Sequence, residues 1–165
     1  MQATIHQISL KPERAGARGL PKEPVPEAIL TTSGLRGDFN RYRHEKKQDA
    51  PHMALLLLPV ETIQALKDEG WPVEPGHLGE NLTTRGISYT DFYAGRKFRI
   101  GQTEIEITEE AAPCSNLYGL PYIGREKGPS FLKSMLNRRG WYARVRKQGA
   151  IKVGDSIQPM ATQKP

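Results

Sequence analysis

The chain of 165 residues contains a single cysteine, Cys114, whose surroundings are typical of a functional group. The preceding residues, 103–108, alternate isoleucine with polar side chains, and this period of two predicts a half-buried strand. Pro113 lacks an N–H donor, so the strand should end before it and leave the thiol in a loop. A lone cysteine forms no internal disulfide. It is inert packing, a nucleophile, a sulfur carrier or a metal ligand.

The residues before Cys114 are acidic and disfavour its ionised form. Glu104, Glu106, Glu109 and Glu110 all precede the thiol, and negative charge nearby opposes formation of a thiolate. A chemically active Cys114 therefore requires a positive charge or a metal supplied by another part of the chain.

Two glycine-containing segments supply further candidates for ligand binding. They are Gly34-Leu35-Arg36-Gly37-Asp38 and Gly76-His77-Leu78-Gly79-Glu80-Asn81-Leu82. Glycine lets the backbone approach a ligand closely, and the polar residues in the same turns can contact it. The candidate binding residues are Arg36, Gly37, Asp38, Gly79, Glu80 and Asn81. Taken singly, each segment is equally well explained as a plain turn. The histidines fit no zinc-binding spacing.

The net charge of +6 is concentrated near the C-terminal end of the chain. Residues 125–152 contain nine basic residues and one acidic residue, Glu126. Such a local field favours an anionic partner, either a nucleic acid or a phosphorylated small molecule, although a solvated basic face is the simplest explanation. Nucleic acid is disfavoured because the segment lacks interleaved aromatic residues and any helix-turn-helix or zinc-finger spacing. Arg139 and Arg144 flank Gly140 and are the candidate anion-binding residues.

Hydrophobic periodicity predicts mostly short strands around these residues. A continuous apolar run at 53–58 indicates a fully buried strand, and a hairpin is expected to turn at Gly101. We expect surface loops at 11–27 and 40–51. Two helices are predicted, at 60–69 and at 130–137, the second with Ser130 as its N-cap. Further strands are predicted at 4–10, 28–32, 96–101, 103–108, 141–145 and 156–158. This pattern favours a mainly β fold, a closed β-barrel with few helices.

Length, hydropathy and cysteine content limit the kinds of protein to which this chain can belong. The length predicts a single domain over residues 1–165. No apolar run approaches the length of a membrane-spanning helix, and the first residues do not form a signal sequence. One cysteine argues against a disulfide-stabilised secreted module, so a soluble cytoplasmic protein is expected.

In order and spacing, the segments resemble the MOSC domain, named for the C-terminal domain of molybdenum-cofactor sulfurases. The similarity is to small standalone bacterial members and covers about residues 33–157. It is carried by Gly79-Glu80-Asn81-Leu82, by Pro113-Cys114, and by Arg139-Gly140-Trp141-Tyr142-Ala143-Arg144-Val145 followed by Gly154-Asp155. Many members have a His-His-Gly-Gly-like stretch where this chain has His44-Glu45-Lys46-Lys47.

The resemblance implies a β-barrel of the type inserted in pyruvate kinase and a site for molybdenum-cofactor or sulfur chemistry at Cys114. In the related mitochondrial amidoxime-reducing component, the matching cysteine ligates molybdenum and the enzyme reduces N-hydroxylated compounds. The larger enzymes also carry an N-terminal domain that helps to hold the cofactor. The resemblance leaves pyridoxal phosphate binding open.

Three functional hypotheses follow. In the first, the chain is an oxidoreductase that carries a molybdenum cofactor (molybdopterin) on Cys114, reduces N-hydroxylated small molecules and receives electrons from a donor protein. In the second, Cys114 carries a persulfide sulfur. In the third, the chain is a non-catalytic basic module that binds anions. In the first hypothesis, basic residues including Arg139 and Arg144 would hold the cofactor's phosphate.

Overall fold

The computed structural model describes residues 2–15 and 19–161, which form eleven β-strands and three α-helices. The strands are β1 (Thr4–Leu10), β2 (Glu23–Val25), β3 (Glu27–Thr31), β4 (Gly34–Leu35), β5 (Leu55–Pro59), β6 (Leu82–Arg85), β7 (Lys97–Ile100), β8 (Thr103–Glu110), β9 (Trp141–Lys147), β10 (Gly149–Lys152) and β11 (Ile157–Pro159). The α-helices are α1 (Arg41–Lys47), α2 (Val60–Asp68) and α3 (Gly124–Ser134), and short 3-10 helices cover Pro51–Met53, Tyr89–Asp91 and Ser115–Gly119.

The strands form two sheets. Eight strands follow the order β11-β7-β8-β9-β5-β6-β1-β2, and the other three follow the order β10-β3-β4. The paired strands are antiparallel except β5 and β6, which run parallel. A parallel pair requires a crossover connection, and α2 supplies it here. The fold is therefore mainly β, as the short alternating segments predicted, but the described part of the chain contains three α-helices and not the expected two.

The expected closed barrel is not confirmed. Across residues 2–15 and 19–161, neither sheet closes on itself through a continuous ladder. The chain just before β11 reaches the start of β1 through one isolated bridge between Thr4 and Ser156. Three hydrogen bonds support this bridge, from Ile5 N to Asp155 O at 3.0 Å, from Gly154 N to Ile5 O at 2.9 Å and from Ile157 N to Ala3 O at 2.9 Å. The larger sheet thus curls until the chain at its end strand β11 reaches β1, the strand next to its other end.

Strand β5 is buried along its whole length because apolar residues cover both of its faces. Leu55 and Leu57 belong to the main core between the sheets. Leu58 packs in a second cluster with residues of α2 and α3, including Ile63 and Phe131. The continuous apolar run was correctly read as a buried strand for this reason.

The predicted exposed loop at 40–51 is wrong, because residues Arg41–Lys47 form α1. The side chain of Asn40 caps this helix by accepting a hydrogen bond from Arg43 N at 2.9 Å. Arg43 is buried, and its guanidinium donates to the carbonyls of Ser33, Asp49 and Ala50 at 2.7, 2.9 and 2.8 Å. A buried arginine, rather than an apolar face, anchors α1, so the segment carries no hydrophobic period.

The predicted helix at 130–137 is real but was misplaced. Helix α3 covers Gly124–Ser134, so Ser130 lies within it and is not its N-cap. Gly128 and Pro129 indicate a break when read from the sequence alone. Gly128 instead makes room for the ring of Tyr118, since a Cβ at this glycine would lie 2.4 Å from the tyrosine Cε1. The glycine is a packing requirement between α3 and the preceding 3-10 helix.

Other predicted elements are confirmed. Strand β1 has the predicted limits, α2 ends one residue early, and β7 and β8 form the predicted hairpin at Gly101. The predicted loop at 11–27 contains the short strand β2. Among the described residues, no helix has the length and hydropathy needed to cross a bilayer.

Candidate functional site

A cavity of about 740 Å³ brings together residues from several separate parts of the chain. Its walls come from the segment before β2, the start of α1, β5, the turn before β6, the connection from β8 to α3, and the start of β9. Gly79, Cys114 and Arg139 all line the cavity. The glycine-containing segment before β6, the cysteine after β8 and the basic segment therefore each contribute to it.

Cys114 is positioned at the wall of this cavity by the end of β8. The strand ends at Glu110, and Cys114 then adopts an extended backbone and precedes the 3-10 helix Ser115–Gly119. Its carbonyl accepts a hydrogen bond from Leu117 N at 3.1 Å, which starts that helix. The thiol is partly exposed. The described residues contain no group of three or more His, Cys, Asp or Glu side chains that could hold a metal ion by itself.

Arg139 is a buried cation at the cavity wall that forms no ion pair within 4 Å among the described residues, although its charge acts on the buried carboxyl of Glu80. The residue is 7% exposed, and its Nε and Nη1 atoms have no hydrogen-bond partner. Burying a charge without a partner is costly, so a buried unpaired cation at a cavity wall indicates an anionic ligand. The positive charge of Arg139 also lowers the pKa of Tyr142, which lines the same cavity, against the larger rise that burial causes.

Asp38 and Asn81 lie behind the cavity wall, in one buried polar network. The carboxylate of Asp38 accepts from Lys22 Nζ at 2.7 Å, from Asn81 Nδ2 at 2.9 Å and from Lys11 N at 2.9 Å. The side chain of Lys22 is 3% exposed, so this is a buried ion pair. Asn81 Oδ1 accepts from Leu56 N at 3.1 Å. Since Lys22 and Leu56 line the cavity, the network holds two parts of its wall in place.

Glu80 is completely buried and supports the turn that carries Gly79. Its Oε1 accepts from Gly76 N at 2.5 Å and from Thr83 Oγ1 at 3.0 Å, whereas Oε2 has no partner. Burial raises the pKa of Glu80, and the two hydrogen bonds and the charge of Arg139 partly oppose that rise. The carboxyl therefore acts within the protein interior and not as a group that lines the cavity.

The remaining predicted site residues lie elsewhere. Arg36 and Gly37 are exposed in the turn after β4 and do not line the cavity. Arg144 lies on β9, where its Nε is 3.9 Å from Glu106 Oε1 of the neighbouring strand. The structure thus brings Arg139 to the cavity but not Arg144, because Arg139 precedes β9 at the cavity wall, whereas Arg144 lies further along the strand, beyond Tyr142 and opposite Glu106.

Several lining residues were not predicted as part of a site. They are mainly aromatic and basic side chains: Lys22, Phe39, Arg41, Tyr42, Tyr118, Arg125 and Tyr142. Most lie in segments with no periodic pattern; the basic excess of residues 125–152 pointed to Arg125, and Tyr142 lies in the closing motif of the MOSC resemblance.

The sequence profile of the MOSC domain matches residues 44–158, more than half of the chain. The chain belongs to the MOSC domain family. Protein YiiM of Escherichia coli (strain K12) is 30% identical over 95 residues, which cover 55% of this chain but only 42% of the E. coli protein. The aligned part of this MOSC domain thus spans less than half of that relative.

Solved structures share the fold of this MOSC domain. The YUAD protein from Bacillus subtilis superposes with a TM-score of 0.78 at 18% identity and covers 99% of this chain and 98% of its own. YiiM from Escherichia coli gives a TM-score of 0.70 at 22% identity, and the superposition covers 100% of this chain and 72% of the E. coli chain. YiiM from Geobacillus stearothermophilus gives a TM-score of 0.71 at 21% identity, and the superposition covers 96% of this chain and 75% of the Geobacillus chain.

Replacing Asp38 by Asn should strongly destabilise the domain. The change leaves the buried ammonium of Lys22 without a counter-charge, and breaking a buried ion pair on one side costs about 3 kcal/mol or more. Urea unfolding of the Asp38→Asn variant measures the loss. Glu23→Gln removes the exposed Arg14–Glu23 pair and is the matched control, with little expected change. Equal effects in the two variants would contradict a structural role for the buried pair.

Glu80 should make stability fall as pH rises. Because the pKa of Glu80 is raised in the folded state, the folded protein holds this proton more tightly than the unfolded chain does. Its stabilising contribution is complete below the unfolded pKa of about 4.5 and is lost as pH rises toward the folded value. Urea midpoints from pH 4 to 8 should decline less in Glu80→Gln than in the wild type. Parallel profiles would show that Glu80 titrates normally.

Proposed function

We propose that this MOSC domain binds a molybdenum cofactor through Cys114 and reduces the N–O bond of small N-hydroxylated molecules. The observation that supports this most strongly is that a partly exposed thiol and a buried, unpartnered guanidinium share one cavity. A molybdopterin carries its metal and its terminal phosphate at different ends. It therefore matches a cavity whose lining includes both a soft sulfur ligand and a cationic group.

The residues present fit this cofactor. A metal bound to Cys114 would keep the sulfur deprotonated, which removes the objection raised by Glu109 and Glu110. The open nitrogens of Arg139 suit the oxygens of a phosphate, since a guanidinium can donate two parallel hydrogen bonds. Gly79 lies next to this guanidinium, since a Cβ at that position would be 3.9 Å from Arg139 Nη2, and the position requires glycine because the same Cβ would lie 2.8 Å from Leu20 Cδ2.

The proposed reaction converts a hydroxylamine group to an amine and water. Breaking the N–O bond takes up two electrons and two protons, and the electrons come from a reduced donor protein. When bound, the molybdenum centre supplies the two-electron chemistry of this step. The protein's own contribution includes Tyr142. Burial raises the pKa of Tyr142, so its phenol stays protonated and can donate a hydrogen bond into the cavity.

A cytoplasmic location is part of this proposal, because Cys114 must remain a free thiol until it binds the metal and the cytosol keeps thiols reduced. The phosphate-binding role is assigned to Arg139 alone. Arg144, which was expected to share it, faces Glu106 instead.

Replacing Cys114 by Ser should abolish metal binding without unfolding the domain. The two side chains are similar in size and the site is partly exposed. Protein from a molybdenum-replete host should lose its molybdenum, measured by mass spectrometry of the metal, and its reduction of benzamidoxime. Circular dichroism melting is the control for folding. Wild-type turnover by Cys114→Ser would refute the ligand assignment. A labile sulfur adduct on wild-type Cys114 without molybdenum would favour the persulfide carrier.

Replacing Arg139 by Gln should weaken cofactor retention by about tenfold or more, since a charge-assisted hydrogen bond contributes about 1.5–3 kcal/mol. The cofactor-free variant should differ little from the wild type in its resistance to urea, because removing buried nitrogens without hydrogen-bond partners is favourable, whereas losing the positive charge that acts on buried Glu80 is unfavourable. Pterin content after purification is read from the fluorescence of its oxidised product.

Arg144→Gln is the matched control and should retain the pterin. Loss of pterin from both variants, or from neither, would contradict the assignment of the phosphate to Arg139. Strongly salt-dependent DNA binding by the wild type, lost in both, would favour a nucleic-acid partner instead.

A further inference from the structure

The charged residues that line the cavity are all cations. Lys22, Arg41, Arg125 and Arg139 are lining residues, and no aspartate or glutamate of the described chain is among them. Lys22 is neutralised by Asp38, with which it forms the buried ion pair at 2.7 Å. The lining of the cavity therefore keeps a net positive charge after the Lys22–Asp38 ion pair is subtracted. Positive charges around a concave surface raise the local concentration of anions.

The remaining cations lie at two depths. Arg139 is 7% exposed, whereas Arg41 and Arg125 are exposed residues at the mouth. Arg41 is within 3.8 Å of Glu45 on its own helix. Arg125 makes no ion pair with any described residue, even though Glu126 follows it in the chain. Positive charge is thus available at the inner wall and, separately, at the rim.

The cavity also has room and surface for a second molecule. Its volume of about 740 Å³ is in the upper part of the range for small-molecule sites, so a cofactor need not fill it. Tyr42 follows Arg41 in α1, and Tyr118 lies in the 3-10 helix that precedes α3. Both tyrosines line the cavity and place aromatic surface close in sequence to the rim cations. Such a wall suits a flat, apolar molecular body that ends in a negative group.

We propose that the rim of the cavity, centred on Arg125, recognises an anionic group on the substrate, so that the enzyme prefers aromatic N-hydroxylated compounds carrying a carboxylate or a phosphate over neutral ones. This inference rests on the proposed function. The inner cation, Arg139, is used by the cofactor's single phosphate, and the rim charge is then left for the substrate. The N-hydroxyl group would point inward toward Cys114, and the negative group outward toward the solvent.

The test compares benzamidoxime with its 4-carboxy and 4-phosphonooxy derivatives, using cofactor-loaded enzyme and reduced methyl viologen as the electron source. We expect kcat/KM to be about fivefold or more higher for the anionic compounds at low salt, mainly through KM, because steering by exposed charge is modest and is screened by salt. Arg125→Gln should remove most of that preference. Lys127→Gln, an exposed cation on the same helix that does not line the cavity, should keep it. A larger preference for the dianionic phosphate than for the carboxylate would identify phosphate as the better ligand.

Three results would overturn the inference: equal kcat/KM for neutral and anionic compounds, equal loss of preference in Arg125→Gln and Lys127→Gln, or loss of pterin from Arg125→Gln, which would assign Arg125 to the cofactor. Failure of the proposed function is a different result, in which no amidoxime is reduced. In that case, the binding of 4-carboxybenzamidoxime, measured by calorimetry without reductant, still tests the rim site. Tighter binding than benzamidoxime, dependent on Arg125 but not on Lys127, would support the rim site, and its absence would refute it.

Discussion

Asn81 connects the parts of the fold on which the cavity depends, and it uses all of its polar groups to do so. Its backbone N–H donates to Leu56 O at 2.8 Å and its carbonyl accepts from Ser9 N at 2.8 Å, which joins the residue before β6 to β5 and β1. Its side chain accepts from Leu56 N and donates to Asp38, which brings in the turn after β4. A buried amide with every group paired specifies one arrangement of these segments, because any shift would leave a polar atom unsatisfied.

The cavity wall follows from that arrangement. Leu56 lines the cavity directly, and Asp38 holds the ammonium of Lys22 against it. Glu80, next to Asn81, supports the turn that presents Gly79. The Gly-Glu-Asn segment therefore builds the site from behind. Only its glycine reaches the cavity surface, where a φ of +84° and a clash with Leu20 Cδ2 at 2.8 Å leave no room for a side chain.

Charge is distributed unevenly between the structural network and the cavity. Lys22 is matched by Asp38, and Arg43 is satisfied by three carbonyls in the loop around α1, so these buried cations stabilise the fold. Arg139 has neither kind of partner at its Nε and Nη1 atoms. Guanidinium nitrogens left without partners at the cavity wall are a cost to folding that ligand binding can offset, so replacing Arg139 should reduce binding much more than stability.

The sequence by itself determined the elements whose pattern is local and the family to which the chain belongs. The period of two in β8, the apolar run of β5 and the glycine turn of the hairpin each follow from side-chain alternation and backbone freedom, and Cys114 was placed correctly after the strand end. Helix α1 and the start of α3 were missed because Arg43 and Gly128 are explained by contacts with residues outside their own helices, which no periodic pattern reveals. Only the tertiary structure decided that Arg139 reaches the cavity while Arg144 faces Glu106, and that Asp38 and Asn81 lie behind the wall. Spacing along a chain cannot distinguish these outcomes, since the direction of each side chain depends on which strands pair and which face of the sheet is buried.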